Sequence, residues 1–165
     1  MRRRDREMPV DFALMVTDKC EYAVLSMIDP NGNPYCVPIT IVRIDNHIYF
    51  HSAHSGFKID CLRNNNHVCI SCVGDTKRSH DKFTTEYEST IIRGNAFEVT
   101  NNDEKITALR ALCLRHTPTN MDEFDNAINT SLFRTAVWKV AMKDVTGKRK
   151  KYDSKGIEMK FGRME

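Results

Sequence analysis

The sequence predicts a mainly β fold: a small antiparallel barrel with helices packed around it. Two observations carry this expectation. Runs of β-branched and aromatic residues recur at short intervals, separated by Pro, Gly, Asn and Asp turn signals. A later segment spaces its apolar residues at helical intervals instead. With 165 residues, 41% of them hydrophobic and 28% charged, the chain suits one domain whose core needs neither disulfide nor structural metal.

Residues 9–19 predict a short opening helix, after which the sheet begins. Residues 22–28 read as a strand closed by the turn Asp29-Pro30-Asn31-Gly32-Asn33-Pro34. Residues 35–44 read as a second strand, where Pro38 marks an edge or a bulge because it has no N–H for a ladder. Asp45-Asn46 makes a tight turn and residues 47–53 return as a third strand, so the three form a meander. Residues 55–64 are a polar, helix-like interruption. Residues 67–74 are strand four, and the hydrophilic stretch 75–83 is expected as a mobile loop.

A long β-branched strand carrying Gly94 follows at 86–100. Over 101–116, Ile106, Leu109, Leu112 and Cys113 share one helical face, and Asn101 or Asn102 can cap the start. A second helix is expected at 124–132, and a last strand at 136–145 with the only tryptophan, Trp138. The domain is expected to span 1–150, with a charged tail over 151–165.

Charge and composition narrow the function. A net charge of +3 is too small to imply a nucleic-acid partner, and no recognition helix or run of stacking aromatics appears. The basic clusters at 2–6 and 148–151 read as solvated tails. No apolar run reaches the roughly 20 residues that span a bilayer, and none follows the basic N-terminus. A cytoplasmic protein without membrane contact is the expectation. Cys69 and Cys72 form a C-x-x-C, yet on a strand these positions point to opposite faces and cannot share one metal. The six cysteines therefore read as buried, reduced thiols and no metal site is assigned.

The segment that carries chemistry is Tyr49-Phe50-His51-Ser52-Ala53-His54-Ser55-Gly56-Phe57-Lys58. It is a strand ending in small hydroxyl residues, a Gly turn, and a helix start with Lys in its first turn. Free N–H groups and the helix dipole attract an anion there, and Lys58 adds a point charge. Physics alone leaves two readings open, a phosphate site or an ordinary capped helix.

This block resembles the phosphate cradle of FMN-binding split barrels, the pyridoxamine-5'-phosphate-oxidase-like superfamily. The wording is nearest to its 5-nitroimidazole-resistance, or nitroimidazole reductase, branch. Pro34-Tyr35-Cys36-Val37-Pro38-Ile39, Tyr87-Glu88-Ser89-Thr90-Ile91-Ile92-Arg93-Gly94 and Thr146-Gly147-Lys148 agree in order and spacing, as does the opening Met1-Arg2-Arg3-Arg4-Asp5-Arg6-Glu7-Met8. The resemblance implies a six-stranded antiparallel split β-barrel with two to four helices, forming a homodimer with FMN at the subunit interface.

By the same resemblance, Val37, Pro38, Ile39, Thr40 and Ile41 run along the flavin ring. Ser52, Ala53 and Lys58 hold the phosphate, with Gly56 and Phe57 forming the turn beside it. Tyr87, Glu88 and Ser89 reach the flavin from the partner subunit. Trp138 is either a wall of that pocket or a core aromatic. His51 is the catalytic candidate: it either donates a proton to a reduced nitro group or packs against the cofactor. His54 is expected to be exposed, and His47, His67, His80 and His116 receive no role.

The chain departs from the pyridoxamine-phosphate oxidases in two places. Pro38 stands about where a flavin-phosphate arginine is expected, and Lys143-Asp144-Val145-Thr146-Gly147-Lys148 replaces the substrate motif. The expectation is therefore an FMN-dependent oxidoreductase acting on a small molecule such as a nitroimidazole, not a vitamin B6 oxidase. The alternatives are a non-catalytic flavin-binding or flavin-sensing protein, and a barrel that prefers haem or a deazaflavin.

Overall fold

The computed structural model describes residues 2–79 and 82–160, so His80 lies outside the described residues. The chain runs β1 (Glu7–Met8), α1 (Val10–Lys19), β2 (Ala23–Ile28), β3 (Pro34–Ile39), β4 (Val42–Ile44) and β5 (His47–Ser52). It continues through α2 (Phe57–Asn64), β6 (His67–Arg78), β7 (Thr85–Glu98), α3 (Asn102–His116), α4 (Phe124–Ser131) and β8 (Ala136–Lys150). The strands form one antiparallel sheet in the order β3-β2-β6-β7-β8-β5-β4, with β1 added to β8. An antiparallel sheet with peripheral helices is the predicted class, but it has eight strands rather than six.

One extra strand comes from a break at Thr40-Ile41, which divides the expected strand 35–44. Its first half pairs with β2, where Val37 faces Leu25, and its second half pairs with β5, where Val42 faces Tyr49. The expected meander is therefore two separate hairpins at opposite ends of the sheet path. Pro38 does fall on an edge strand, where its missing N–H leaves the single β2 ladder intact.

Hydrophilic composition hid two strand extensions. β6 runs on to Arg78, paired with Thr85 past a bulge between Val73 and Thr76, so the loop expected at 75–83 is much shorter. β8 runs on to Lys150, opposite Tyr87. Alternate side chains on these extensions reach solvent, so charge does not prevent pairing. Where β7 meets β8 the register shifts at Arg93/Gly94, and a Cβ on Gly94 would lie 2.1 Å from the Ala141 carbonyl oxygen.

Strand alternation sorts the apolar residues into two layers. Ile48, Phe50, Leu25, Ile70, Ile92 and Trp138 fill one, while Tyr49, Val137, Leu109, Leu112 and Phe124 form the other beneath α3 and α4. α3 is capped as expected: the Asn101 side chain accepts from the Glu104 N–H at 2.9 Å. Its face holds Leu109 and Leu112 buried, with Ile106 and Cys113 packed at the margin.

Cys69 and Cys72 lie on β6, where Cys72 enters the core and Cys69 stays half-buried. All six cysteines are free, but Cys36 is exposed rather than buried. The basic N-terminus is pinned rather than free. Arg6 holds Glu158 at 2.6 Å and Lys160 holds Asp5 at 2.6 Å, and these cations push the Glu158 carboxyl down to about 2. Among the described residues no helix is long and apolar enough to cross a membrane.

Candidate functional site

β5 ends at Ser52 and α2 begins at Phe57. Gly56, between them, has φ +125°, a backbone that residues with a Cβ adopt only with strain. Nothing lies within 4 Å of the place a Cβ would take, so the need for glycine is conformational rather than steric. That conformation starts α2 without a side-chain cap, and the Gly56 carbonyl accepts from the Ile59 and Asp60 N–H groups at 2.8 and 3.1 Å. The Phe57 and Lys58 amides, at the very start of the helix, have no capping side chain.

Lys58 sits in this turn, half-buried. Among the described residues it has no carboxylate within 4.0 Å, and its Nζ lies 5.8 Å from the centroid of the Phe50 ring. Burial pushes its pKa below the ordinary lysine value. An ammonium desolvated without a counter-ion, beside an uncapped helix start, is complementary to an anion. Tyr35, Val37, Ser52, Gly56, Phe57 and Lys58 line one depression of about 330 Å³ there, with Ala53 on its wall. Phe57 is fixed edge-on against Tyr35 with ring centroids 4.9 Å apart, and the Ser52 hydroxyl donates to the Ala53 carbonyl at 2.8 Å. Lys58 and the uncapped helix start fit the phosphate end of the flavin expected from the sequence, and Ser52 would join them by turning its hydroxyl from the Ala53 carbonyl.

One residue back, His51 points to the other side of β5. It lines a second cavity of about 350 Å³ with Thr40, Leu109, Leu112, Phe124 and His116. Desolvation, and then the nearby Lys58 charge, push the His51 pKa below the ordinary imidazole value. The neutral ring is therefore favoured at neutral pH. His116 Nε2 lies 2.9 Å from the Ile41 carbonyl oxygen, so that nitrogen donates and the strand break at Thr40-Ile41 is held from α3.

The structure thus gathers Val37, Ser52, Ala53, Gly56, Phe57 and Lys58 in one depression and Thr40 with His51 in the next. Pro38 is exposed on the strand between them, while Ile39 packs on the core and Ile41 is fully buried. Trp138 lies opposite Phe50 in register, 3% exposed and packed in the core. Its indole N–H has no acceptor among the described residues. His54 is exposed as expected, with Nε2 3.1 Å from the Phe133 carbonyl oxygen.

Tyr87, Glu88 and Ser89 do not reach the Lys58 cradle within one chain. Tyr87 and Glu88 line a third cavity of about 160 Å³ together with Arg149, and Glu88 is held by Lys19 at 2.5 Å. Two residues that matter here were not singled out in the sequence. His116 shares no local spacing with Ile41, and Arg149 sits inside a run of lysines that reads as a solvated tail.

The profile of the pyridoxamine 5'-phosphate oxidase family matches residues 16–149. No curated protein matches the sequence. Among solved structures, a Bacteroides thetaiotaomicron protein named for 5-nitroimidazole antibiotic resistance is similar at TM-score 0.73 and 27% identity, covering 87% of this chain and 86% of that one. A flavocytochrome from Azotobacter vinelandii is similar at TM-score 0.72 and 18% identity, covering 88% and 71%. An FAD-binding protein from Mesorhizobium loti is similar at TM-score 0.63 and 17% identity, covering 87% and 96%.

Proposed function

This chain belongs to the pyridoxamine 5'-phosphate oxidase family, and from that premise we propose that it is an FMN-dependent oxidoreductase working as a cytoplasmic homodimer. The observation that carries the reading is Lys58: a half-buried ammonium without a counter-ion, set on an uncapped helix start. Such an arrangement is stabilised when a phosphate arrives and costs free energy until it does. FMN, when bound, supplies the electron transfer, and the chain supplies binding, orientation and proton chemistry.

In this reading Ser52, Lys58 and the first-turn amides of α2 hold the phosphate. Residues 37–41 offer backbone groups along the polar edge of the ring, and His116 steadies the Ile41 carbonyl among them. His51 stands beside the apolar cavity under α3, where a small planar substrate packs against Leu109, Leu112 and Phe124. Its neutral ring donates a hydrogen bond to an incoming nitro oxygen, and its protonated form passes on a proton. Likeness to the protein named for 5-nitroimidazole resistance supports a nitroimidazole or related nitroaromatic as the substrate class. Tyr87, Glu88 and Ser89 complete the site from the second subunit.

The test is to denature the purified protein and identify the released chromophore by mass, then to assay turnover with a reductant and a nitroimidazole. FMN with turnover is expected. FMN without turnover on any nitroaromatic would leave a non-catalytic flavin-binding protein, and haem or a deazaflavin in place of FMN would overturn the proposal.

A further inference from the structure

Arg149, on β8, is 8% exposed, and its Nε and Nη2 have no hydrogen-bond partner among the described residues. Its guanidinium carbon lies 5.9 Å from the centroid of the Phe12 ring, which supplies no acceptor. A buried guanidinium left unpaired costs several kcal/mol, which folded proteins normally offset with an acceptor. Arg149 also lines a cavity of about 160 Å³.

Three carboxylates line the same cavity, and two lysines are shared among them. Asp75 and Glu88 are held by Lys19 at 2.9 and 2.5 Å, and Glu86 has Lys77 at 3.9 Å. Glu86 also accepts the Tyr152 N–H at 3.1 Å. Three cations on the lining remain without a carboxylate within 4.0 Å among the described residues: Arg149, Lys150 and Lys151. Lys150 donates to the Thr84 hydroxyl and Lys151 is exposed. Water filling the space would satisfy N–H groups but would leave the surplus charge in place.

We propose that the Arg149 cavity is a binding site for a phosphate-class oxyanion, held by the guanidinium fork with Lys150 and Lys151 at its edge. A planar fork with two unpartnered nitrogens suits two oxygens of one tetrahedral anion. The anion has two possible sources, a free phosphorylated small molecule or the phosphate of a flavin seated across a dimer interface. The second source rests on the flavin reading above, and the first does not.

Inorganic phosphate is the probe, titrated by calorimetry into the protein with and without bound flavin. Saturable binding is expected in the parent, weakened at least about tenfold in Arg149→Gln, as for a lost hydrogen bond to a charged group. Lys151→Ala, at an exposed lysine whose loss leaves the sheet intact, should weaken it severalfold and guards against a misfolded Arg149 variant. Phosphate binding to flavin-loaded protein, with flavin affinity unchanged in Arg149→Gln, identifies a free ligand. Phosphate binding only to flavin-free protein, with flavin affinity lowered in Arg149→Gln, identifies the flavin phosphate. No saturable binding in either form, or equal binding in the parent and both variants, overturns the proposal. The flavin reading itself fails or stands on the Lys58 variant, so the two can fail separately.

Discussion

Replacing Lys58 by alanine removes the only cation in the first turn of α2. In the flavin-free protein that ammonium is half-buried, with no carboxylate within 4.0 Å among the described residues and the Phe50 ring centroid at 5.8 Å, and burial lowers its pKa. The fold therefore gives up free energy to keep it charged at neutral pH, and its removal strands no carboxylate. Flavin-free Lys58→Ala should be as stable as the parent or slightly more so. Binding should behave in the opposite way. A hydrogen bond to a charged group contributes about 1.5–3 kcal/mol, so the Kd for FMN should rise about ten- to hundredfold. At a flavin concentration of 100 times the parent Kd, the stabilisation by ligand should fall from about 2.7 to about 1.4 kcal/mol for a tenfold loss. Flavin-fluorescence titration gives the Kd, and paired thermal melts with and without FMN give the stabilities. An unchanged Kd in a folded variant would refute the phosphate assignment, and a large loss of flavin-free stability would show that Lys58 is structural instead.

His51→Phe should retain FMN and lose about 10²-fold or more in nitroimidazole turnover, the low end for a positioned proton donor; equal rates would leave His51 a packing residue. Its folded pKa is depressed, so the acid form is lost as pH rises through a value below the ordinary imidazole pKa, and turnover should fall there. Lys58→Ala, by removing a repelling charge, should move that limb to higher pH, measured at saturating flavin. Light scattering should find a homodimer whose melting temperature rises with FMN, whereas a monomer that holds flavin tightly would contradict the interface reading. Gly94→Ala should cost on the order of 1–3 kcal/mol or more, because its Cβ would meet backbone at the β7–β8 contact; an unchanged melting curve would refute that.

What the sequence made legible was local. The cap at Asn101, the apolar face of α3 and the block from Ser52 to Lys58 each lie within a few residues, so spacing alone exposes them. The break at Thr40-Ile41 was not visible. Neither residue is a turn former, and the split is decided by β2 and β5, which claim the two halves from opposite ends of the sheet. The extensions of β6 and β8 were concealed because a charged strand looks like a loop until its partner is known. At the site, His116 meets Ile41 across a sequence separation of 75 residues. Trp138 was undecidable for a similar reason: only its register opposite Phe50 sends it inward.

The two hairpins on either side of Thr40-Ile41 emerge before β6, β7 and β8 during synthesis, and both have local turns. The Asp29 carboxylate accepts from the Asn31 and Asn33 N–H groups at 2.8 Å, and Asp45 adopts φ 51° in the other. Each hairpin can close alone. The β4–β5 hairpin, however, finds its second neighbour only in β8, which begins at Ala136, after two other long strands and both later helices have been made. Until then the hydrogen-bonding edge of His47–Ser52 is open, a template for pairing with another chain. Docking of this hairpin is thus a late, non-local step that slows folding. Nascent or heat-opened chains are most exposed to aggregation along the strand that leads into the Gly56 turn.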